Sequence, residues 1–207
     1  MAAGIQFTSY VPTSLVGNNS PSPTLAAEVV TGLPIPTGAF PGNVFYLTEQ
    51  QANQLSAVAV NGATQMTCHA GWYMVVQVSP SATAGNIKAG YIGSQYAQSS
   101  SSDIPAAAIV SDADTAFTPG VNPVVFLNPV TPGNYTIVQV AGDTNVYGSA
   151  ALTEGDVLIY SDTTGEVADS SGSPTFAQLP LVVGIATETT GAAGLGRANV
   201  KFLNGIV

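Results

Sequence analysis

The sequence predicts an all-β protein made of two tandem, duplicated β-barrel or β-sandwich units behind an extended N-terminal arm. From Val58 onward, short runs of Val, Ile, Tyr and Thr alternate with clusters of Gly, Pro, Asn and Asp, a pattern typical of short strands joined by turns. Strand-like segments then recur in the same order in the second half of the chain, which indicates an internal duplication. Charged residues make up only 7% of the chain, so its surface must be built largely from neutral polar groups.

Three pairs of matching segments define the duplication. They are 72–78 with 134–140, 104–110 with 179–185, and 124–128 with 200–204. Because the matches keep their order, we divide the chain into an arm (1–42), a first β unit (43–129) and a second β unit (130–207). Two copies are too few for a solenoid, which needs at least three to bury its faces. Paired barrels or one fused sandwich are therefore expected.

The arm is rich in Pro, Gly, Ser and Thr, and we expect it to be extended and irregular because proline cannot donate a ladder hydrogen bond. A disordered tail is normally poor in large apolar side chains, yet the arm carries several. We therefore predict that these side chains contact another subunit. The predicted interaction residues are Phe7, Tyr10, Leu15, Val29, Val30 and Phe40. The alternative is a flexible leader without a partner.

A short strand followed by the chain's one predicted helix occupies residues 43–59. Thr48 is an N-cap candidate, and Gln51 stands three residues later, which is the spacing of a capping box. The residues that follow Thr48 are good helix formers apart from Asn53. At most one short helix, of one or two turns, is expected.

Turn residues divide the second unit into strands. The predicted strands lie at 135–140, 155–160, 181–186 and 198–203. The predicted connections are a turn at 141–144, a hairpin turn at 161–165 and a glycine-rich hairpin loop at 189–196. In the first unit, the Ser-rich residues 98–102 are expected to form an exposed loop.

Charge and hydropathy exclude several classes of function. The net charge is −9, with three basic side chains at Lys88, Arg197 and Lys201, so nucleic acid is not an expected partner. No apolar run is long enough for a membrane helix, and no secretory signal precedes the first unit, so we expect synthesis in a cytoplasm and no membrane partner. A surface with so few charges is poorly protected against association. We therefore expect the protein to be packed against neighbouring protein subunits.

Cys68 and His69 form the only pair of soft metal ligands, and the single cysteine excludes an intrachain disulfide. Adjacent residues of a strand point to opposite faces, and a structural zinc site needs four ligands. We therefore interpret the pair as a buried cysteine beside a partly exposed histidine. No catalytic residue, no metal ligand and no cofactor is predicted.

The acidic residues match no catalytic or metal-binding pattern. The segments 112–114 and 143–145 resemble the start of a calcium loop but lack the Gly and Glu that an EF-hand requires; turn-forming aspartates are the simpler interpretation. Glu154 and Asp156 are the best carboxylate pair for glycoside hydrolysis, but that chemistry needs a cleft and a raised pKa, which no sequence pattern indicates. The glycines of 191–196 precede a strand, whereas a dinucleotide-binding loop opens a helix.

Four segments of the second unit resemble the capsid decoration, or cement, proteins of tailed bacteriophages. They are residues 131–142, 150–157, 181–186 and 198–202. The resemblance implies a small β-barrel with an aromatic-Val/Ile-Gln-Val strand, an Ala-Leu-x-x-Gly-Asp turn and a Val-Gly-Ile-Ala strand. The first unit departs from this pattern, because Gly85 and Asn86 replace the Gly-Asp pair and residues 108–111 replace Val-Gly-Ile-Ala.

The resemblance implies a non-enzymatic virion structural protein of the capsid surface, synthesised in the host cytoplasm. Such a protein binds the major capsid protein on the outside of the head, commonly as a homotrimer, and stabilises the shell. The alternative is a β-rich tail, fibre or adhesin-type module that binds a host-surface glycan. That alternative predicts exposed aromatic residues clustered in loops, whereas we expect Trp72 to be a half-buried packing residue at the start of a strand.

Overall fold

The computed structural model describes residues 42, 44–57, 66–95, 123–161, 165–170, 174, 178–179 and 182–200, with the strand segments 10–11, 28–29, 59–60, 63–64 and 109–112. They form a ten-stranded sheet, two separate two-stranded ladders, one α-helix and one 3-10 turn, which confirms the all-β class. None of the helical segments in these ranges is long and apolar enough to span a membrane.

The bounds of the elements are as follows. The strands are β1 (Tyr10–Val11), β2 (Glu28–Val29), β3 (Val44–Leu47), β4 (Ala59–Val60), β5 (Ala63–Thr64), β6 (Gly71–Val78), β7 (Ile92–Gln95), β8 (Ile109–Asp112), β9 (Pro123–Phe126), β10 (Tyr135–Gly148), β11 (Val157–Tyr160), β12 (Val167–Asp169), β13 (Val182–Ala186) and β14 (Gly194–Val200). The helix α1 spans Glu49–Ser56, and the 3-10 turn spans Ala84–Asn86.

Helix α1 begins at the predicted capping box. The Gln51 backbone N–H donates to Thr48 Oγ1 at 3.5 Å, and the Thr48 backbone N–H donates to Gln51 Oε1 at 3.0 Å. Ala52 and Leu55 are the buried positions of the helix. The predicted short helix and its N-cap are therefore confirmed, and the apolar side of α1 packs into the core.

The strand pairings of the main sheet close into two rings that share β10. In ring one, β6 pairs with β8, β8 with β7, β7 with β9, β9 with the first half of β10, and that half with β6. In ring two, the second half of β10 pairs with β14, then follow β13, β11 and β12, and β12 returns to β10. Each ring contains one parallel pairing, β6–β8 in ring one and β10–β12 in ring two.

The predicted turn at 141–144 is wrong, because β10 runs through it without interruption. The pairing with β6 shifts register between Gln139 and Ala141, and Gly142 has φ of 104°. A Cβ at Gly142 would lie 2.8 Å from the Gly71 Cα and 2.9 Å from the Ala70 carbonyl oxygen. The glycine thus marks a bulged bend at which the strand passes from ring one to ring two.

The two rings are connected in the same order. In each ring, the first strand pairs in parallel with the third, and the second strand pairs with the third and the fourth. The segment match 72–78 with 134–140 follows this order, since it relates β6 to β10. The match 104–110 with 179–185 relates β8 to β13, which hold different places in the two rings. Because β10 serves both rings, the duplication and its boundary at 129/130 stay predictions.

Both faces of β6, apart from Trp72, and of β9 are buried. Along β6, alternate side chains enter two different apolar clusters, as a strand covered on both sides requires. The ring-one cluster consists of Met74, Val76, Val78, Ala82, Ile87, Tyr91, Val110, Val124, Phe126, Val130, Val138 and Val140. The joint cluster combines β3 and α1 with residues of both rings, among them Leu47, Leu55, Tyr73, Val75, Leu127, Val146, Leu158, Val183 and Ala198. Ring one is therefore packed against ring two through the joint cluster.

Two other connections of ring two can be compared with the prediction. The hairpin predicted around 161–165 is confirmed at its flanks, because β11 and β12 are antiparallel neighbours and Gly165 has φ of 76°; residues 162–164 lie outside the described part of the chain. The predicted loop at 189–196 is too long, since β14 already begins at Gly194. Gly196 lies inside this strand against Leu152 and Thr190, where a larger side chain would meet both, and it is thus a packing residue of the sheet.

Candidate interaction surface

The predicted interaction residues of the arm fall mostly outside the described part of the chain. This holds for Phe7, Leu15, Val30 and Phe40. Tyr10 and Val29 are described in their backbone only, where they pair with each other in the antiparallel β1–β2 ladder. The arm was expected to be irregular, and this ladder corrects that expectation for four residues. Contact with another subunit stays a prediction.

The aromatic side chains Tyr46 and Trp72 form an exposed pair on the main sheet. They are register partners on β3 and β6, and their rings meet edge to face with centroids 5.4 Å apart. Tyr46 is 51% exposed and Trp72 46% exposed. Trp72 is therefore half-buried and packs on a neighbour, as predicted, while one side of the pair remains open to solvent.

Strand β3, which carries Tyr46 of this pair, lies at the end of the main sheet. Within the described residues it pairs with β6 alone. Its four residues are apolar or aromatic, and charge and proline, which usually protect an edge from pairing with another chain, are absent from it. The chain enters β3 close to β6, since the Gly42 N–H donates to the Val75 carbonyl at 2.7 Å.

Among the described residues, two further large apolar side chains are about half exposed. They are Leu179 and Leu195. Leu195 lies in β14 and closely approaches Gly90, whose φ of 80° and lack of a Cβ leave it room. It therefore covers the contact between the rings. Its register partner on β10 is Tyr147.

Cys68 is a structural residue of the joint cluster. It is fully buried, its Sγ donates to the Met66 carbonyl at 3.2 Å, and its backbone N–H donates to Ser56 Oγ at 2.7 Å. Burial raises the pKa of the thiol to about 11. The prediction of a buried cysteine beside a partly exposed histidine is confirmed, and the thiol is not set up as a nucleophile.

A polar cluster joins α1, the start of β6, the β10 bend and β14. Glu49 accepts from the Ala70 N–H at 2.7 Å and lies 3.1 Å from His69 Nδ1, and Arg197 pairs with Asp143. The Arg197 guanidinium is also 3.4 Å from His69 Nδ1. Because the guanidinium only donates and an ionised carboxylate only accepts, that nitrogen can serve one partner at a time. The hydrogen bond from the Ala70 N–H, followed by the one with His69, holds the pKa of Glu49 below its ordinary value.

Four buried polar atoms near this bend have no hydrogen-bond partner among the described residues. They are Gln139 Oε1, Asp143 Oδ1, Thr144 Oγ1 and Arg197 Nε. Gln139 is fully buried and uses its Nε2 to donate to the Asp143 carbonyl at 2.8 Å. An unsatisfied buried polar atom costs stability, so the bend is a polar and strained junction rather than a second core.

Asp112 and Asp156 also have structural partners. Asp112 is buried, accepts from Asn86 Nδ2 at 2.8 Å, and ends β8 instead of lying in the predicted loop; Asp114 lies outside the described residues. Asp156 faces Asp169 rather than Glu154, and hydrogen bonding with Asp169 raises its pKa. In the described ranges, no three His, Cys, Asp or Glu side chains are grouped as a metal site requires.

Tyr46 is the exposed residue that sequence reasoning missed. The segment Val44–Leu47 is apolar throughout, so hydropathy does not reveal which of its side chains face solvent. The alternation of a strand would have placed Tyr46 opposite to Phe45 and Leu47 once the buried face was known. The two exposed aromatic rings lie on strands, whereas the glycan-binding alternative predicted them in loops.

Comparisons with known proteins leave the family of the chain open. No protein-family profile matches it, and no curated protein matches it in sequence. Among solved structures, the chain is similar to the head fiber gp8.5 N base in bacteriophage phi29, over 62% of this chain and 92% of that chain. The sequence identity is 14% and the TM-score 0.40, values at which a likeness carries no inference about fold or function.

Proposed function

We propose that this chain is a structural protein of a phage virion, a head decoration protein that binds the outer surface of the capsid and stabilises the shell. The proposal rests on the resemblance of the second unit to cement proteins. Catalysis plays no part in it.

The observation that carries the proposal is how the segments of that resemblance meet in ring two. The Gly155 N–H donates to the Ala186 carbonyl at 2.9 Å, and the Ala186 N–H donates to the Asp156 carbonyl at 2.9 Å. The Gly-Asp turn is thus bonded to the Val-Gly-Ile-Ala strand. Gly155 has φ of 91°, and a Cβ at Gly184 would overlap the Asn199 carbonyl of β14. The glycines that carry the resemblance are therefore required by this fold.

The mechanism of such a protein is mass action. A subunit that binds the assembled shell, and not the free capsid protein, stabilises the shell by its binding free energy. Several contacts within one oligomer raise the effective affinity further. With 7% charged residues, the contact is expected to be apolar and neutral-polar, and long-range Coulomb attraction contributes little.

Cosedimentation with heads tests the proposal. The full chain is mixed with heads assembled from the major capsid protein of the same phage, and in parallel with unassembled capsid protein. We expect saturable binding to heads alone, a higher temperature of shell disruption, and occupancy that survives a rise to about 1 M sodium chloride, where screening acts within roughly 3 Å. Absence of binding to heads would overturn the proposal, and steep loss with salt would overturn its apolar contact.

A second candidate function is recognition of a host-surface glycan by a fibre or adhesin-type module. The exposed Tyr46–Trp72 pair favours it, because aromatic faces stack on sugar rings. Binding to a glycan array that is lost in Trp72→Ala, with no binding to heads, would favour this function over decoration.

A further inference from the structure

We propose that the edge of β3 and the Tyr46–Trp72 pair receive the N-terminal arm of a second copy of the chain, which adds as an extended strand. The proposal deepens the self-association that the proposed function assumes, and it names the surface and its occupant. The docking surface is defined by β3 (Val44–Leu47) and Trp72.

The surface has the properties of a strand acceptor. An edge strand presents backbone N–H and C=O groups to any extended chain, and natural edges are usually protected by charge, proline or a bulge. Strand β3 carries none of these, and two half-exposed aromatic rings stand in register beside the edge. Backbone pairing would supply affinity, and the aromatic pair would supply an apolar contact for alternate side chains of the added strand.

The arm fits this surface in composition and charge. Glu28 is its only charged side chain, and the segment from Val44 to Thr48 has none, so charge repulsion does not oppose their contact. The arm also holds large apolar residues at Phe7 and Tyr10 that suit an aromatic surface. The β1–β2 ladder pairs only two residues from each strand, and a two-stranded ladder of this size needs further packing to be stable.

The geometry around Gly42 favours a second copy over the chain's own arm. The Gly42 N–H donates to the Val75 carbonyl, so Gly42 lies against β6 and not on the outer edge of β3. On the same edge of β6, Gln77 and Val78 pair with β8. Gly42 is therefore placed between β3 and β8, away from the β3 edge.

The arm is long enough to reach a neighbour. Because the β1–β2 ladder pairs residues 10–11 with 28–29, the reach is set by residues 29 to 42, which span roughly 43 Å when extended at about 3.3 Å per residue. The radius of gyration of a compact chain of the protein's full length is roughly 17 Å, so an adjacent copy lies within that span.

Trp72 is the only tryptophan of the chain, so its fluorescence reports directly on the docking surface. The full chain is diluted serially, and Trp72 emission, its quenching by acrylamide and the sedimentation coefficient are measured at each concentration. We expect the emission to shift to the red and quenching to rise on dilution, in step with the loss of the assembled species.

Two other results would overturn the proposal. Low quenching at every concentration would mean that the chain covers Trp72 by itself, through its own arm or another segment. High quenching throughout, with the assembled species present, would mean that the copies associate elsewhere.

Matched variants separate this surface from exposed apolar residues in general. Tyr46→Lys places a charge on the β3 edge, and Phe7→Asp places one on the arm; each should weaken assembly by at least roughly tenfold, as loss of an aromatic contact does. Leu179→Lys, which changes an equally exposed side chain, should leave assembly unchanged. Equal effects of Tyr46→Lys and Leu179→Lys would overturn the proposal, as would an unaltered assembly of Phe7→Asp. Assembly is measured without heads, so failure to bind heads would sink the proposed function and leave this inference standing.

Discussion

The two rings share a pairing order but differ in what surrounds them. In ring one, the Ser79 N–H donates to the Val110 carbonyl where the parallel pairing ends; in ring two, the Ser149 N–H donates to the Val167 carbonyl at the same place. Ring one, however, also carries α1, β3 and the exposed aromatic pair. In ring two, residues 187–193 join β13 directly to its partner β14. One order of strands can thus serve as a compact closed unit and as a unit with an open edge.

The rings also differ in how they are filled. Ring one has an apolar cluster of its own, with the fully buried Phe126 among its members, and a second buried face. Ring two contributes Leu158 and its neighbours to the joint cluster, which it shares with ring one and α1. A unit of about 70 residues buries a marginal core, and the shared cluster offsets that deficit. We therefore expect the rings to unfold together despite their separate closures.

The largest expected loss of stability comes from truncating a core side chain in either ring. Phe126→Ala should lower the free energy of unfolding by about 3–5 kcal/mol, and Leu158→Ala by about 2–5 kcal/mol, because each leaves a cavity. Guanidinium unfolding should show a single transition in both variants, followed by far-UV circular dichroism and by labelling of the Cys68 thiol. A single transition is expected because strand β10 and the joint cluster belong to both rings.

Separate unfolding of the two rings would contradict this expectation. If Phe126→Ala produced two transitions, with Cys68 labelled in the first and much strand signal lost only in the second, the rings would be independent units. The slope of the unfolding free energy against denaturant should stay that of the unmodified chain, since a changed slope would indicate loss of two-state behaviour.

The sequence predicted local features well where local chemistry decides them. The Thr48–Gln51 capping box, the 161–165 turn and the burial of Cys68 follow from spacing, turn residues and a missing second ligand. The β10 bend could not be predicted in this way. Gly142 and Asp143 are turn-forming residues, but pairing with β6 on one side and β14 on the other keeps the strand continuous.

The candidate site was harder to predict than the fold. Exposure of Tyr46 depends on which strand lies beside β3 and which face α1 covers, and both are tertiary properties. The polar cluster was missed for the same reason, since Glu49, His69, Asp143 and Arg197 come from four separate segments. His69 was correctly placed as partly exposed, but its partners were not.

A glycine pair tests whether the bend in β10 holds the rings together. Gly142 and Gly155 both have positive φ, 104° and 91°, but only at Gly142 would a Cβ meet backbone, that of Gly71 and Ala70. Gly155→Ala should cost about 1–2 kcal/mol for the left-handed conformation alone. Gly142→Ala should cost about 1–3 kcal/mol more, the range for forced overpacking. Thermal unfolding of both variants measures the difference; equal losses would show that the rings do not depend on this close approach.

The smallest expected effect concerns the polar cluster, which links α1 of ring one to β14 of ring two. Hydrogen bonds from the Ala70 N–H and from His69 lower the pKa of Glu49 from its ordinary value of 4.5. A carboxyl whose pKa is lower in the folded state stabilises the protein above its unfolded pKa, and that contribution is lost as the pH falls through the folded pKa. Glu49→Gln keeps the shape and an acceptor for Ala70 but removes the charge. Because the Glu49 side chain is 54% exposed, the loss at pH 7 should be below about 1 kcal/mol. Unfolding by denaturant between pH 7 and pH 3 should show the two free energies converging below pH 4.5, where Glu49 becomes neutral as well. A constant gap across that range would mean that Glu49 acts through packing, and that strand β10 and the joint cluster join the rings without help from this charge.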